Sequence, residues 1–411
     1  MPILLEEDLQ RPLPRMYRVR QQFDETRLED VAGTVRAEFA KPEIRALVKP
    51  GMRIAIGVGS RGIQNLYTIV ETTVNSLKEL GAEPFIVSAM GSHGGGTEEG
   101  QREVLAGYGI TEERLGVPVV TTVDTVYLGN CANGRPVWFD RAAYEADLIV
   151  PINRVKLHTD FVGPIQSGLC KMLVIGLGNH KGCSAVHEEA PEVFADAIEE
   201  TARLILQKAP VGFGIAILEN AYDKTYAVEA VPAEHLVERE KELVQIAKGN
   251  MPYIMLDEAD VIVCGAIGKD ISGAGFDPNI LGRSSVLKQF VLHIPRYQRL
   301  VLCDVTPASH GNGIGVGLFD VITKKVAEQL DLESMYANAI ACNCLGDASV
   351  PCTVDDEETA IRVALKCCRN IDRDHPRIIR IQNTLHLGEI EVSEALLDAV
   401  RADSRMSLIE N

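Results

Sequence analysis

Short runs rich in β-branched residues alternate along the chain with longer segments of helical periodicity. The run "MRIAIGVGS" (52–60) predicts a strand, "GIQNLYTIVETTVNSLKELG" (62–81) predicts a helix with a glycine stop, and "EPFIVSAMGS" (83–92) predicts the next strand. This alternation is typical of α/β proteins in which helices cover a mostly parallel sheet. The sequence therefore predicts an α/β fold.

The alternation continues to the C-terminus and restarts once, which predicts two domains. Further strands are predicted at 117–124, 146–153, 211–220, 259–267, 299–306, 336–343 and 376–384. Further helices are predicted at 96–109, 190–209, 232–249, 284–292, 317–330 and 356–369. A charged helix ending in Lys-Gly-Asn-Met-Pro places the boundary near 250, giving two α/β domains, 1–250 and 251–411. Because clefts between domains are favoured places for ligands, we expect an interdomain active-site cleft.

Charge and hydropathy exclude several classes of partner. The 411 residues carry a formal net charge of −17, which disfavours nucleic acids and anionic membranes, since both attract basic surfaces. No stretch approaches the roughly 20 apolar residues of a membrane-spanning helix. The N-terminus, "MPILLEEDLQRPLP", has acidic residues where a signal peptide would be basic. We therefore expect a cytoplasmic protein.

Ten scattered cysteines include no C-x-x-C pair, which favours reduced, mostly buried thiols in the cytosol. Cys342 and Cys344 are spaced as C-x-C and could be soft metal ligands. Alternation on a strand explains this spacing equally well.

Two polar loops follow predicted strands of the first domain. Ser60 and Arg61 lie in "GVGSRG", where free amides at a helix start and a guanidinium could bind a phosphate or carboxylate. The alternative is a plain turn with a surface arginine. His93 lies in "MGSHGGGTEEG", at the strand end where α/β enzymes place their chemistry, although a histidine in a flexible loop is the simpler reading.

The segment 154–187 contains several basic side chains and histidines, separated by glycines. His158 follows a predicted strand, and Lys171 lies in the apolar "SGLCKMLVIGLG". Burial would lower the pKa of the lysine and free its amine for covalent chemistry. An exposed position on an amphipathic helix is the alternative. His180 and His187 follow, and a neutral imidazole at His187 could bind a metal or cap the next helix.

The second half of the chain has two similar glycine-rich loops. "GAIGKDISGAGFDPNILGR" carries Lys269, Asp270 and Arg283, and "TPASHGNGIGVG" carries His310. Each could be an ordinary loop, with its aspartates holding the cations. Together with the first domain, they place histidines and cations after several strand ends.

These residues resemble the lactate racemase family that uses the nickel-pincer nucleotide cofactor. The resemblance covers most of the chain and is carried by "SRG", "GSHGGGTEE", "VKLHTDFVGPIQSGLCK" and His187. Its strongest element is a lysine, Lys171, followed sixteen residues later by a histidine. The resemblance implies two α/β domains, of which the first binds the cofactor and carries the catalytic residues and the second closes the cleft.

The resemblance also implies the roles of the site residues. Lys171 would be joined covalently to the cofactor, a modified nicotinate mononucleotide whose ring carbon and two sulfurs hold nickel. His187 would bind nickel, and Ser60 would contact the cofactor. His93 and His158 would act as acid and base on opposite faces of a 2-hydroxy acid.

For the substrate, the resemblance implies that Arg61 holds the carboxylate while the α-hydride moves to the cofactor and returns to the other face. Racemisation needs a base on each face, and a closed cleft protects the keto acid intermediate from water. Lys269, Asp270 and His310 would close over the tail of the substrate. The expected partners are the small-molecule acid and the enzymes that build the cofactor.

Three departures from the family pattern point away from lactate itself. Gly-Val-Gly-Ser stands where the family has an acidic residue and a threonine before the arginine, and the spacing from His158 to Lys171 is three residues longer. A loop that offers Tyr, Gln and Lys in the family is replaced by "GKDISGAGFDPN". We therefore expect another 2-hydroxy acid, short-chain or sugar-derived.

Two alternatives stay open: a zinc or iron enzyme without the nucleotide, and a non-catalytic carrier or sensor of the cofactor or of a small acid.

Overall fold

A computed structural model describes residues 3–410, apart from the side chain of Ala341. Elements are numbered along the chain. The strands are β1 Met16–Gln21, β2 Arg53–Val58, β3 Glu83–Ser88, β4 Val119–Val120, β5 Thr125–Asn130, β6 Pro136–Asp140, β7 Leu148–Arg154, β8 Phe213–Glu219, β9 Thr225–Pro232, β10 Val261–Cys264, β11 Arg299–Leu302, β12 Val321–Thr323, β13 Cys352–Val354, β14 Ile378–Ile381, β15 Glu389–Ser393 and β16 Met406–Leu408.

The α-helices range from single turns to fifteen residues. They are α1 Glu6–Gln10, α2 Val31–Ala40, α3 Pro42–Arg45, α4 Leu66–Glu79, α5 Glu98–Gly107, α6 Glu112–Leu115, α7 Arg141–Tyr144, α8 Leu169–Lys171, α9 Asn179–His187, α10 Phe194–Lys208, α11 Leu236–Asn250, α12 Pro278–Leu281, α13 Lys324–Gln329, α14 Leu332–Ala341, α15 Glu357–Cys367 and α16 Leu397–Ala402. A π-helical turn, Met172–Gly176, directly follows α8. None of the helices among residues 3–410 combines the length and the apolar character that a membrane span requires.

The chain divides into two compact units. The middle unit is Glu25–Met251, and the terminal unit combines the residues up to Asp24 with those from Pro252 onwards. The predicted domains, 1–250 and 251–411, differ from these units in the N-terminal segment. The reason is that β1 pairs antiparallel with both β15 and β16, so the segment contributes a strand to the sheet of the terminal unit.

The middle unit is built on a six-stranded sheet in the order β4-β3-β2-β7-β8-β9. All neighbouring strands are parallel except β8 and β9. β5 and β6 form a separate antiparallel pair. The apolar faces of α2 and α4 pack on one side of the sheet, where Ile54 and Ile56 of β2 are fully buried beside Ile69 and Leu77 of α4. Burial of each such side chain stabilises the fold by about 1.5–3 kcal/mol.

The terminal unit is built on an eight-stranded sheet in the order β13-β12-β11-β10-β14-β15-β1-β16. The strands from β13 to β14 run parallel, and those from β14 to β16 pair antiparallel. The predicted α/β class is therefore confirmed. The predicted cleft between domains stays a prediction.

Two element predictions for the second half are wrong, and a third holds only in part. The segment 336–343, predicted as a strand, belongs mostly to α14, whose start is capped by the Asp331 carboxylate accepting from the amides of Glu333 and Ser334 at 3.1 and 3.3 Å. The predicted helix at 284–292 is irregular, because the Ser284 hydroxyl accepts local amide hydrogen bonds instead. A short strand, β12, also interrupts the helix predicted at 317–330.

Candidate functional site

The register of three parallel strands brings the predicted loops of the middle unit together. Val58, the last residue of β2, pairs with Ser88 of β3 on one side and with Ile152 of β7 on the other. Parallel strands present their carboxyl ends at the same edge of a sheet. The loops that carry Ser60, His93 and His158 therefore leave the sheet side by side.

Ser60 and His93, which lie on different loops, are in direct contact. The Ser60 hydroxyl meets Nδ1 of His93 in a short hydrogen bond, and the Tyr108 hydroxyl donates to the Ser60 carbonyl at 2.9 Å. The fully buried Gln101 side chain donates to the carbonyl of Gly91 at 3.2 Å and to that of His93 at 3.4 Å. The His93 loop is thus fixed from both sides.

Glycine is required where the His93 loop meets the π-helical turn. Gly91 has φ +60°, and a Cβ there would lie 3.0 Å from the Ile175 carbonyl oxygen. Its amide donates to the Gly176 carbonyl at 3.0 Å. Positive φ and close backbone approach both exclude larger residues, so this glycine sets how near His93 comes to the segment that carries Lys171.

His158 has a defined orientation and tautomer. Its ring stacks on Phe161 with centroids 4.3 Å apart, and its side chain is 16% exposed. The backbone amide of Asp160 donates to Nδ1 at 3.0 Å, so a neutral ring carries its proton on Nε2. Nε2 in turn contacts the Lys171 amine. Burial, followed by the charges of Lys171 and Lys156, holds the pKa of His158 well below its usual value.

Lys171 lies at the end of α8, where its amine faces His158 in a partly buried position. Burial lowers the pKa of Lys171 from 10.5 to about 8, and the charges of Arg61 and Lys156 act in the same direction. At pH 7, about a tenth of such an amine is uncharged and nucleophilic, far more than for an ordinary lysine.

His187 closes α9, and its ring is held by the preceding turn. Nδ1–H donates to the Cys183 carbonyl at 2.7 Å, and the Cys183 thiol lies 3.4 Å from the same nitrogen. A hydrogen bond from Nδ1–H fixes the tautomer in which Nε2 has the free lone pair that a metal requires. The ring also packs edge-on against Phe194, with centroids 5.1 Å apart.

The residues at this edge of the sheet fit the cofactor that the resemblance implies. Lys171 offers an amine of lowered pKa, and His187 offers Nε2 as a single metal ligand. Within residues 3–410, no group of three or more His, Cys, Asp or Glu side chains is arranged to hold a metal ion. A centre in which the organic cofactor supplies most of the ligands requires only the one protein ligand.

A cavity of about 600 Å³ lies beside the His93 loop and α9. His180 lines it, and the ammonium of Lys181, a second lining residue, lies 3.3 Å from the centre of the Trp138 ring. The remaining lining residues are Gly96, Val123, Asp124, Thr125 and Ser184.

The predicted substrate contacts of the second domain form local hydrogen bonds within the terminal unit. The Lys269 amine donates to the Gly273 carbonyl at 2.6 Å and also contacts Asn338. Asp270 accepts a short hydrogen bond from the Thr306 hydroxyl. His310 is exposed, with φ +47°. The roles predicted for these three residues in substrate binding stay predictions.

Sequence reasoning missed three residues that shape this site. Gln101 lies in strongly polar helical sequence, where a buried side chain has no distinguishing signal. Lys156 and Cys183 were also missed, although both act on the pKa of Lys171. The spacing of Cys183, one helical turn before His187, was the only usable signal.

One family model matches the N-terminal part of the chain. Residues 12–196 match the family model described as the lactate racemase N-terminal domain. No curated protein sequence matches the chain.

Several solved structures align with the chain, and one of them has a similar fold. The lactate racemase apoprotein of Thermoanaerobacterium thermosaccharolyticum aligns with a TM-score of 0.52 at 13% identity, covering 89% of this chain and 93% of that one. A Thermotoga maritima protein aligns with a TM-score of 0.43 at 14% identity, covering 57% of this chain and 63%, just under two thirds, of that one.

Proposed function

We propose that the chain is an isomerase that racemises or epimerises a 2-hydroxy acid, because residues 12–196 match the model of the lactate racemase N-terminal domain and the fold is similar to that of a lactate racemase apoprotein. The observation that supports this most directly is the contact between the Lys171 amine and His158, at the strand edge that also carries Ser60 and His93. One set of neighbouring loops thereby offers a covalent anchor and two imidazoles. We propose a cytoplasmic location, which the scattered cysteines without a C-x-x-C pair favour.

The proposed cofactor is the nickel-pincer nucleotide of the family. Lys171 would hold it covalently, His187 would bind nickel through Nε2, and Ser60 would contact the nucleotide. The chemistry that this group supplies when bound is reversible acceptance of a hydride from carbon. Loading would require the enzymes that build the cofactor as partners.

The side chains of the chain itself would bind the substrate and move its protons. The exposed Arg61 guanidinium would hold the carboxylate with two parallel N–H donors, a geometry that lysine does not reproduce. His93 and His158 would each exchange the hydroxyl proton on one face. The low pKa of His158 keeps its ring neutral at pH 7, and Nε2, which faces Lys171, is the atom that would exchange the proton.

The proposed substrate has a polar tail. A hydroxylated or carboxylated tail could exchange hydrogen bonds with Lys269, Asp270 and His310, whereas a bare methyl group could not. A hydroxylated or carboxylated tail would therefore be preferred over that of lactate.

The test is a racemisation screen of lactate, malate and gluconate, using protein produced together with the cofactor-building enzymes. We expect interconversion of one of these acids, with kcat/KM highest for malate or gluconate. His93→Asn and His158→Asn should each lower turnover by about 10² or more, the scale of a lost general base.

The matched control is His235→Asn, at an exposed histidine at the start of α11, which should leave turnover unchanged. Near-normal turnover by His158→Asn would contradict the proposed pairing of bases. If lactate is preferred and Lys269→Ala leaves the ranking unchanged, the terminal unit does not recognise the tail.

A further inference from the structure

Glu240 has a buried carboxyl group in a helix whose sequence looks fully solvated. It lies in α11, within "VEREKELVQ", and its side chain is completely buried. Glu242, two residues later, has a side chain that is 65% exposed and pairs with Arg239. Charged side chains are rarely buried without a specific partner.

The partner of Glu240 is the short helical turn that carries Lys171. Its Oε2 accepts the amide hydrogen of Cys170, the residue before Lys171, at 2.8 Å. On the other side of the same turn, the Asn153 side chain donates to the Gly168 carbonyl at 2.8 Å. The first amides of a helical turn have no acceptor within the helix, and a side-chain oxygen commonly supplies one.

Two glycines leave the space that this arrangement requires. A Cβ on Gly168 would lie 2.6 Å from the carboxyl carbon of Glu240, and a Cβ on Gly214 of β8 would lie 2.7 Å from Leu169 Cδ1. Both distances are far below van der Waals contact. The turn at Gly168–Cys170 therefore packs tightly between α11 and β8, which leaves it little room to shift.

The Glu240 carboxyl group occupies this position although burial destabilises its charged form. Burial raises the pKa of Glu240 to about 7, while the amides of Cys170 and Leu169 act in the opposite direction. A leucine would fill the same space without that desolvation penalty. An acceptor at this point thus has a use other than packing, and the backbone that it holds leads directly into Lys171.

We propose that Glu240 is a positioning residue for Lys171: its carboxyl group fixes the Gly168–Cys170 backbone and so holds the lysine amine against His158. This inference rests on the proposed role of Lys171 as the cofactor anchor. Loss of the acceptor should let the turn relax, so that the amine becomes more hydrated and the pKa of Lys171 rises.

The test uses the full chain without cofactor and measures how fast trinitrobenzenesulfonate modifies Lys171 from pH 6 to pH 11, by mass analysis of the Lys171 peptide. The parent should show a midpoint near pH 8. Glu240→Leu should raise the midpoint by at least about one pH unit, which lowers the rate at pH 8 about fivefold. Glu240→Gln should stay within about twofold of the parent, because its amide oxygen still accepts from Cys170.

Two further variants complete the design. Gly168→Ala, which displaces the carboxyl group from the other side, should act like Glu240→Leu, and Glu242→Gln should match the parent. The inference is overturned if Glu240→Leu folds and keeps the midpoint and rate of the parent. Should Glu240→Leu fail to fold, unchanged labelling of Gly168→Ala overturns it. The labelling needs no cofactor, so it tests the role of Glu240 independently of the proposed function. The proposed function is refuted by a different result, namely that co-production with the cofactor-building enzymes leaves no adduct on Lys171.

Discussion

At the scale of the residue, the chemistry of Lys171 depends on groups that come from distant parts of the chain. His158 faces the amine, and Arg61 and Lys156 add positive charge nearby. The sequence predicts a lowered pKa from the apolar neighbours of Lys171 alone. The tautomer of His158 could not be predicted, because it depends on the Asp160 amide, whose direction is set by the backbone of the loop.

Lys171 should reduce the stability of the cofactor-free protein. Since the folded-state pKa is about 8 and the ordinary value is 10.5, folding disfavours the charged amine. This penalty is fully present below pH 8 and disappears as the pH rises to 10.5. Lys171→Met should therefore raise the free energy of unfolding by about 1–3 kcal/mol at pH 7, and the difference should vanish near pH 10.5.

Urea unfolding at pH 7, 9 and 10.5 measures this difference. The control is Lys324→Met, whose parent side chain is 63% exposed and which should change the free energy of unfolding by less than about 0.5 kcal/mol. Equal stability of Lys171→Met and the parent at pH 7 would show that the amine carries no burial penalty.

At the scale of the element, a long helix and a short strand were predicted correctly, whereas another run of the same length as that strand was not. The predicted helix at 62–81 corresponds to α4, and the predicted strand at 146–153 to β7. The segment 336–343 failed because a short apolar run fits a buried helix as well as a strand. The π-helical turn after Lys171 has no sequence signature, although such turns are frequent at functional sites.

The π-helical turn should not tolerate a side chain at its last residue. A Cβ on Gly176 would lie 2.8 Å from the Ala89 carbonyl oxygen, a backbone atom at the end of β3 that cannot move freely. Gly176→Ala should therefore lower the free energy of unfolding by about 1–3 kcal/mol. Urea unfolding at constant m-value gives this quantity.

Gly107→Ala provides the comparison, because a Cβ there would meet nothing within 4 Å. It should be neutral or stabilise by up to about 1 kcal/mol, as alanine does in place of glycine in helices. If the two alanine variants unfold at the same urea concentration, the turn is not packed as tightly against β3 as the distance indicates.

At the scale of the whole molecule, the sequence predicted the α/β class and a boundary near 250, but not the position of the first strand. The middle unit ends at Met251, whereas β1 lies in the sheet of the terminal unit between β15 and β16. Local patterns predict that a segment is a strand but not its partner, and neighbours in sequence usually pair. Pairing across more than 370 residues, as between Met16 and Ser393, has no local signal.

The central claim, that Lys171 anchors a nickel-containing nucleotide, is tested most directly by mass. The protein would be produced with the cofactor-building enzymes, denatured, and digested, and the Lys171 peptide of the parent compared with those of Lys171→Ala and His187→Ala. The account predicts a nucleotide-sized mass increase on Lys171 in the parent and in His187→Ala. Native His187→Ala should have lost most of its nickel. Lys171→Ala should show no such mass increase on any peptide. A parent peptide of unmodified mass, or a Lys171→Ala protein that still carries the full adduct, would contradict it.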